Sequence, residues 1–353
     1  MATDIEWKHR IERWRDCLRT LFFRQPITTD LQGFITNEQL TAKEAMTRDM
    51  KPMPVGTQWG AKWEYVWFKC TVIIPEEFKG KVVAFKLGSG SDESAIYVNG
   101  EHFGAQDWGR REIILTFNAT PGECYEILAE SYAGHGNRNS GNGPIPYGVD
   151  AVPEPPALQQ TIVDTTFCEW CEEAYQAWIE MNMLTQLSEL VDQESLRYSE
   201  ISQALRDFTV IADLELPYNE MVESLKAGRE RLRPILECVN GTTVPTLFAF
   251  GHSHIDIAWL WPLRETASKC TRTFASQLKL MDLYPDYIFL QSQPYLYQLV
   301  KDDYPDLYVK IKEKIAEGRW LPEGGMWVEA DTNISSGESL IRQLIHGKKF
   351  FRE

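Results

Sequence analysis

The sequence predicts a multidomain fold of mixed α and β structure in three successive parts. Residues 63–132 hold short alternating runs rich in β-branched and aromatic residues, typical of a β-sandwich or jelly roll. Residues 165–238 change to a period near 3.6, which predicts helices. After residue 245, apolar runs alternate with helical patterns. This alternation indicates a parallel β/α sheet or the start of a barrel.

These changes of pattern place three domains at residues 1–160, 161–243 and 244–353. The first domain opens with an amphipathic helix, MATDIEWKHRIERWRDCLRTLFF, which lacks the order of segments of a signal peptide. The Asn99–Gly100 pair between two short runs predicts a two-residue hairpin turn. The Gly/Asn-rich segment 133–148, AGHGNRNSGNGPIPYG, predicts a long loop that is mobile or faces a ligand.

The second part predicts three helices that form a small bundle or spacer. One stripe contains Ala174, Trp178, Met181 and Leu184 at helical spacing. Its methionines and aromatic residues fit a core better than a binding site. Cys168 and Cys171 form a lone CxxC within this helical pattern. No second CxxC completes four zinc ligands, so a structural role is the better interpretation.

Composition and charge exclude several classes of function. The chain has 353 residues and a formal net charge of −15, which disfavours nucleic acid as a partner. No apolar run approaches the roughly 20 residues of a membrane span, so no membrane association is expected. The 7 cysteines are scattered, which fits reduced thiols and a cytoplasmic location. Composition leaves homo-oligomerisation open.

The third part predicts strands at TLFAFG (246–251), DYIFLQ (286–291) and GGMWVEAD (324–331), with helices between them. On the first of these helices, Ala267, Cys270, Phe274, Leu278 and Met281 share one face. About three β/α units fit before Glu353, whereas a closed barrel needs roughly eight strands. We therefore expect an incomplete barrel, the first part of a larger catalytic domain.

The stretch FGHSHIDIAWLWP contains the first group of candidate ligands. His252, His254 and Asp256 alternate directly after the predicted strand TLFAFG. Alternate residues of extended backbone point to one side, so imidazole and carboxylate groups would converge there on a zinc-like ion. Alternatively, the histidine pair caps the following helix or forms hydrogen bonds within the core.

The second group lies in GGMWVEADTNISSGES, where Trp327, Glu329 and Asp331 also alternate. Asp331 falls at the end of the predicted strand, and parallel strands that end at one edge would bring it close to Asp256. Glu329 lies one step further back, which favours a supporting role. Asp331 could instead cap the next helix, although Asn333, Ser335 or Ser336 are better placed for that task.

Taken together, HSHIDIAW and GGMWVEADTNISSGESLIRQ resemble glycoside hydrolase family 38, the retaining α-mannosidases. The form WVEADTN…SGES is similar to the cytosolic, vacuolar and bacterial branch. The resemblance is strongest over residues 244–350 and implies a (β/α)7-type barrel. It also implies hydrolysis of terminal α-mannosyl residues of oligosaccharides through a covalent glycosyl-aspartate intermediate. The similarity to this branch also implies a cytoplasmic location, with delivery to the vacuole by a non-secretory route as the alternative.

The resemblance also assigns residue roles. It implies a Zn²⁺ ion, or Co²⁺, held by His254, Asp256 and Asp331, with Asp331 as the nucleophile. In the family the ion also binds the C2 and C3 hydroxyls of mannose, and Trp259 matches the aromatic residue that packs on the sugar. His252 matches a supporting position and not a ligand. The resemblance therefore implies two ligands among the alternating residues His252, His254 and Asp256, and not three. The fourth ligand and the general acid/base are expected beyond residue 353.

Two other functions compete with this one. His-x-His after a first barrel strand also occurs in amidohydrolase-type metal hydrolases, although WVEADTN argues against them. Residues 63–150 also resemble a lectin-type jelly roll. A non-catalytic carbohydrate-binding fragment is therefore the second alternative.

Overall fold

The structure, a computed structural model, describes residues 4–91, 93–138, 144–155, 157–239, 241 and 244–353. An N-terminal helix leads into antiparallel sheets, helices follow, and a parallel β/α unit ends the chain. This order confirms the predicted succession of a jelly roll, helices and mixed α/β structure. Residues 139–143 of the predicted loop and the predicted boundary at residue 243 lie outside the described residues. The domain boundaries stay predictions.

The jelly roll consists of two packed antiparallel sheets in the described ranges. One sheet has the order β1-β12-β6-β9 and the other has the order β3-β2-β5-β10-β7-β8, while β4 pairs with β11. A helix α1 (Asp4–Thr20) precedes them and a short helix α2 (Ala42–Ala45) follows β2. The strands are β1 (Phe23–Thr29), β2 (Gln32–Thr36), β3 (Lys51–Pro52), β4 (Gln58–Trp59), β5 (Tyr65–Ile73), β6 (Val83–Lys86), β7 (Glu93–Val98), β8 (Glu101–Gln106), β9 (Ile113–Thr116), β10 (Cys124–Tyr132), β11 (Gln160–Thr161) and β12 (Thr165–Trp170).

Alternation along the strands decides which side chains fill the core. Val66 and Phe68 of β5 face the interior between the sheets, whereas Trp67 faces the opposite side. The predicted hairpin is confirmed, since β7 and β8 pair across Asn99–Gly100. Both turn residues have positive φ, 52° and 84°, as a type I′ turn requires.

The structure corrects the prediction that the helical pattern begins at residue 165. Residues Thr165–Trp170 form β12, which pairs with β1 and β6. Cys168 lies in this strand and Cys171 precedes the next helix, so the CxxC does not lie on one helix. TTFCEW is rich in β-branched and aromatic residues and has two sheet neighbours. A helical period read across such a short run cannot distinguish strand from helix.

Three helices follow the jelly roll in the described part of the chain, as predicted: α3 (Glu172–Leu190), α4 (Leu196–Ile211) and α5 (Tyr218–Leu236). Ala174, Met181 and Leu184 of the predicted stripe are buried, and Trp178 packs against the same core from a partly buried position. Among the described residues, no helix has both the length and the apolar character needed to cross a bilayer.

The last part is a parallel β/α unit. Over residues 244–353, three strands pair in the order β13-β14-β15, all parallel. All five residues of the predicted apolar face on the first helix, from Ala267 to Met281, are buried. The elements are β13 (Gly251–His252), α6 (Leu263–Leu283), β14 (Phe289–Leu290), α7 (Pro294–Asp303), α8 (Pro305–Ala316), β15 (Trp320–Leu321) and α9 (Gly337–Phe350).

Two of the three predicted strands differ in the structure. In TLFAFG only Gly251, with the following His252, pairs with another strand, while Leu247 and Phe248 are 91% and 83% exposed. An apolar strand is buried only when elements cover both of its faces, and within the described ranges β13 lies at a sheet edge. GGMWVEAD does not form a strand. The third strand of the sheet, β15, lies earlier in the chain, at Trp320–Leu321.

Helix α6 joins the β/α unit to the outer face of the larger jelly-roll sheet. Arg272 of α6 is 4% exposed and donates to Glu93 of β7 at 2.8 Å and to Glu265. Tyr65 of β5 also donates to Glu265, and Lys269 lies 2.6 Å from Glu93. Burial alone would raise the pKa of Glu93, but Arg272 and Lys269 outweigh it and lower the pKa to about 2.

Glu130 of β10 lies beside this network and is 2% exposed. Its Oε1 has no hydrogen-bond partner among the described residues. Burial raises the pKa of Glu130 to about 7, with Arg272 opposing the shift. Since the folded-state pKa lies above the unfolded value, Glu130 stabilises the fold at low pH. That contribution is lost as the pH rises towards 7.

We therefore expect Glu130→Gln to gain stability relative to the wild type as the pH rises. The gain in free energy of unfolding is on the order of 3 kcal/mol between pH 4.5 and pH 8. Denaturant unfolding followed by tryptophan fluorescence at several pH values measures it. Glu126→Gln, at an exposed position on the same strand, is the charge-matched control. A stability difference for Glu130→Gln that is the same at every pH would contradict the prediction.

Candidate active site

The candidate site lies at the carboxyl edge of the parallel strands. Because β13, β14 and β15 run in the same direction, the segments that follow them meet at one edge of the sheet. The segment after β13 carries His254 and Asp256, and the segment after β15 leads to Glu329. Polar groups from both segments come into contact there.

His254 lies between two carboxylates. Its Nε2 is 3.2 Å from Asp256 Oδ1 and its Nδ1 is 2.6 Å from Glu329 Oε2. His254 and Asp256 therefore share a side, as the alternation argument predicted, with the buried Ile255 between them. The side chains of His254, Asp256 and Glu329 are 53%, 42% and 38% exposed, so a ligand has access to them.

The two carboxylates beside His254 favour a positive charge at its imidazole. A neutral imidazole has one N–H and one lone pair, so it cannot donate to both carboxylates. If Nδ1 donates to Glu329, the Nε2 lone pair faces the carboxylate of Asp256. Either a proton on Nε2 or a cation shared by Nε2 and Asp256 resolves the conflict. The hydrogen bonds to Asp256 and then Glu329 raise the pKa of His254.

Two buried glutamines after β14 hold the site together. Gln293 Nε2 donates to the Ile255 carbonyl at 2.9 Å, and Gln293 Oε1 accepts from Glu329 N at 3.0 Å. Gln291 Nε2 donates to the Ser253 carbonyl at 2.9 Å. Neither glutamine was predicted from the sequence. The sequence feature that could have identified them is the run QSQ directly after an apolar strand. Amide side chains buried at such a position need hydrogen-bond partners for their polar atoms.

The segment 327–329 is fixed by α9 as well as by Gln293. Trp327 N donates to the Gln343 carbonyl at 3.0 Å, and Val328 N donates to Gln343 Oε1 at 2.8 Å. Gly347 allows this close packing, since a Cβ there would lie 2.3 Å from the Gly325 carbonyl oxygen. These partners replace the sheet neighbour that the predicted strand would have needed. Ser292 Oγ donates to Glu329 Oε1 at 2.7 Å and orients its carboxylate.

Asp331 lies in a turn before α9. Its Oδ1 accepts from Asn333 N at 2.8 Å, and its carbonyl accepts from Ser335 N at 3.1 Å. The cap of α9 is Ser336, which accepts from Ser339 N at 3.2 Å, so Asp331 does not cap this helix. Asp331 is exposed, and its Oδ2 has no hydrogen-bond partner among the described residues.

The predicted ligands His254, Asp256 and Asp331 are only partly brought together. Across the described ranges, no three His, Cys, Asp or Glu side chains are arranged to hold a metal ion. The pair itself fits one, because two ligands of a tetrahedral zinc ion, each about 2.0–2.1 Å from it, lie about 3.3 Å apart. His254 and Asp256 are 3.2 Å apart. Glu329 on Nδ1 is the outer carboxylate typical of metal-bound histidines.

The other two predicted residues lie on either side of the pair in sequence. Trp259 is 57% exposed, with the Arg138 guanidinium 5.5 Å from its ring centroid and Trp261 in edge contact at 5.7 Å. A flat exposed ring of this kind suits the C–H face of a sugar. His252 ends β13 and is exposed, and in the described chain it forms no hydrogen bond with His254 or Asp256.

Two domain families match the chain. Residues 244–353 match the family described as "Glycosyl hydrolases family 38 N-terminal domain". Residues 26–154 match the family described as "Alpha-mannosidase, jelly roll domain". The first match contains the whole candidate site, and the second covers most of the two-sheet domain.

Three curated relatives are similar over parts of their length. Alpha-mannosidase G of Dictyostelium discoideum is 32% identical over 90% of this chain and 28% of its own length. Alpha-mannosidase 2C1 of Homo sapiens is 28% identical over 98% of this chain and 34% of its own length. Alpha-mannosidase of Saccharomyces cerevisiae is 44% identical over 30% of this chain and 10% of its own length. The chain thus spans about a third or less of these relatives.

Proposed function

We propose that the protein is a metal-dependent retaining α-mannosidase, because residues 244–353 match the glycosyl hydrolase family 38 N-terminal domain and follow a match to an alpha-mannosidase jelly roll. Its substrates would be oligosaccharides with terminal α-linked mannose. The observation that carries the proposal is His254 between Asp256 and Glu329 at the carboxyl edge of the sheet. This is the arrangement of a histidine that binds a cation through Nε2 and is oriented through Nδ1.

His254 and Asp256 would hold a zinc ion, or cobalt, and Asp331 would complete the protein ligands in this part of the chain. When bound, the ion supplies a positive charge that anchors the mannose hydroxyls and keeps the nearby carboxylate ionised. Asp331 has an oxygen free of described hydrogen bonds, so it is available both as a ligand and as a nucleophile. The turn at 331–335 would have to bring it to the pair.

Asp331 would attack C1 of the mannosyl residue and form a covalent ester as the glycosidic C–O bond breaks. A general acid protonates the leaving oxygen, and water then cleaves the ester, so the product keeps its configuration. In retaining enzymes these two carboxyl groups lie about 5–5.5 Å apart. Trp259 would support the apolar face of the sugar, and the two glutamines and Glu329 would keep the imidazole of His254 oriented.

Hydrolysis of 4-nitrophenyl α-mannoside by the full-length protein tests the proposal. We expect release of nitrophenol in zinc buffer, its loss with a chelator, and its recovery when zinc is restored. The β-mannoside is the matched control and should not react. Metal-dependent cleavage of an amide or phosphoester without cleavage of the α-mannoside would favour an amidohydrolase-type enzyme. Chelator-insensitive mannoside binding by residues 63–150, without turnover, would favour a carbohydrate-binding module.

A further inference from the structure

A cavity of about 700 Å³ lies between the jelly roll and the start of α6. This volume is within the range of about 300–1,000 Å³ that small-ligand sites occupy. The jelly roll contributes one wall through residues 132–138, 153–155 and 157–160. The β/α unit contributes the opposite wall through Trp261, Glu265 and Lys269. The catalytic roles proposed above use none of these residues.

The cavity shares a wall with the candidate sugar platform. Trp261 lines it, and Trp261 contacts Trp259 edge to face at 5.7 Å between ring centroids. Arg138 also lines it and places its guanidinium 5.5 Å from the Trp259 ring centroid. A ligand that extends past Trp259 on this side would therefore enter the cavity.

Two acids of the cavity are matched within the protein. Glu93 is paired with Lys269 and Arg272, and Glu265 accepts from Tyr65 and Arg272. Both acids therefore have partners without any ligand.

The cavity lining as a whole favours no single sign of charge. The exposed Glu154 and Arg138, which have opposite signs, also line it. A lining with paired acids, one exposed charge of each sign and an aromatic side chain suits a neutral polyhydroxyl ligand better than an ion. Carbohydrates are such ligands, with hydroxyls for polar side chains and apolar C–H faces for aromatic rings.

The jelly-roll wall is also preformed. Gln159 Nε2 donates to the Gly60 carbonyl at 3.0 Å, and Gln160 Nε2 donates to the Ala133 carbonyl at 3.1 Å. Trp63 N donates to the Gly134 carbonyl at 2.9 Å. These bonds join the loop after β10, the start of β11 and the segment after β4 to one another. A preformed wall lowers the entropic cost of binding a flexible oligosaccharide.

We propose that this cavity between the jelly roll and α6 is a second carbohydrate position, which holds the sugars adjacent to the mannosyl residue stacked on Trp259. The proposal rests on the proposed function, since it takes Trp259 as the platform for the terminal mannose. It makes the jelly roll a part of the substrate site that favours oligosaccharides over single mannosides.

Competition of methyl α-mannoside and of an α-linked mannotriose with the initial rate of 4-nitrophenyl α-mannoside hydrolysis in zinc buffer tests the proposal. We expect the trisaccharide to bind at least about tenfold more tightly, which corresponds to 1.4 kcal/mol. Ala157→Trp fills the cavity from the exposed jelly-roll wall, and it should reduce the ratio of the two inhibition constants to near one. Ala316→Trp, at an exposed position on α8, is the matched control and should keep the wild-type ratio.

The outcomes separate this proposal from the proposed function. Equal binding of both sugars by the wild type, or an unchanged ratio in Ala157→Trp, would overturn the cavity proposal while the platform at Trp259 stands. If neither sugar binds, the proposed function fails and the cavity proposal fails with it.

Discussion

Asp331→Asn in the full-length enzyme is expected to abolish hydrolysis of α-mannosides, with a loss of kcat on the order of 10³-fold or more. The amide keeps the size of the side chain and an oxygen that accepts from Asn333 N, so the turn before α9 should be retained. It is too weak a nucleophile to form the glycosyl ester, and it removes the negative charge that a cation would bind. Steady-state rates with 4-nitrophenyl α-mannoside provide the measurement.

Asp30→Asn, in an exposed turn of the jelly roll, makes the same chemical change far from the site and should keep the wild-type rate. Near-normal activity of Asp331→Asn would show that the nucleophile is another group. Glu329 would then be the next candidate, because its carboxylate is 2.6 Å from His254.

His254→Ala is expected to lose bound metal. The variant removes the imidazole that lies between two carboxylates and leaves Asp256 and Glu329 as two negative groups without a cation between them. Elemental analysis by mass spectrometry after dialysis against zinc at a fixed free concentration measures the occupancy. We expect about one ion per chain in the wild type and almost none in the variant.

Two further variants define how His254 acts. Glu329→Gln leaves the imidazole in place but removes its outer carboxylate, so we expect metal affinity to fall by about 10–100-fold. His346→Ala, on the exposed face of α9, should keep full occupancy. Full occupancy in His254→Ala would contradict the ligand assignment.

The sequence predicted the parts of the site that depend on local backbone geometry. Alternation after a strand predicts that His252, His254 and Asp256 share a side, and of these His254 and Asp256 are in contact at 3.2 Å. Which acid meets the histidine depends on how the segment after β15 bends. Gln293 and Gln343 decide that bend through bonds across 36 and 15 residues, and they bring Glu329 to His254. No short-range pattern contains such bonds.

Which segments form strands also depends partly on local sequence and partly on distant neighbours. Asn99–Gly100 fixes its hairpin locally. The alternating runs from Tyr65 to Tyr132 likewise predict strands from short-range sequence alone. TLFAFG has the composition of a buried strand, but burial depends on neighbours, and in the described structure β13 pairs on one side only. TTFCEW is a strand because β1 and β6 flank it, which a helical period in the neighbouring sequence concealed.

The anomer first formed from 4-nitrophenyl α-mannoside tests the proposed chemistry most directly. Proton nuclear magnetic resonance distinguishes α-mannose from β-mannose before the two interconvert, with the protein in zinc buffer. Double displacement through Asp331 predicts that α-mannose appears first. Release of β-mannose first, or no release of mannose at all, would contradict a retaining α-mannosidase built on His254, Asp256 and Asp331.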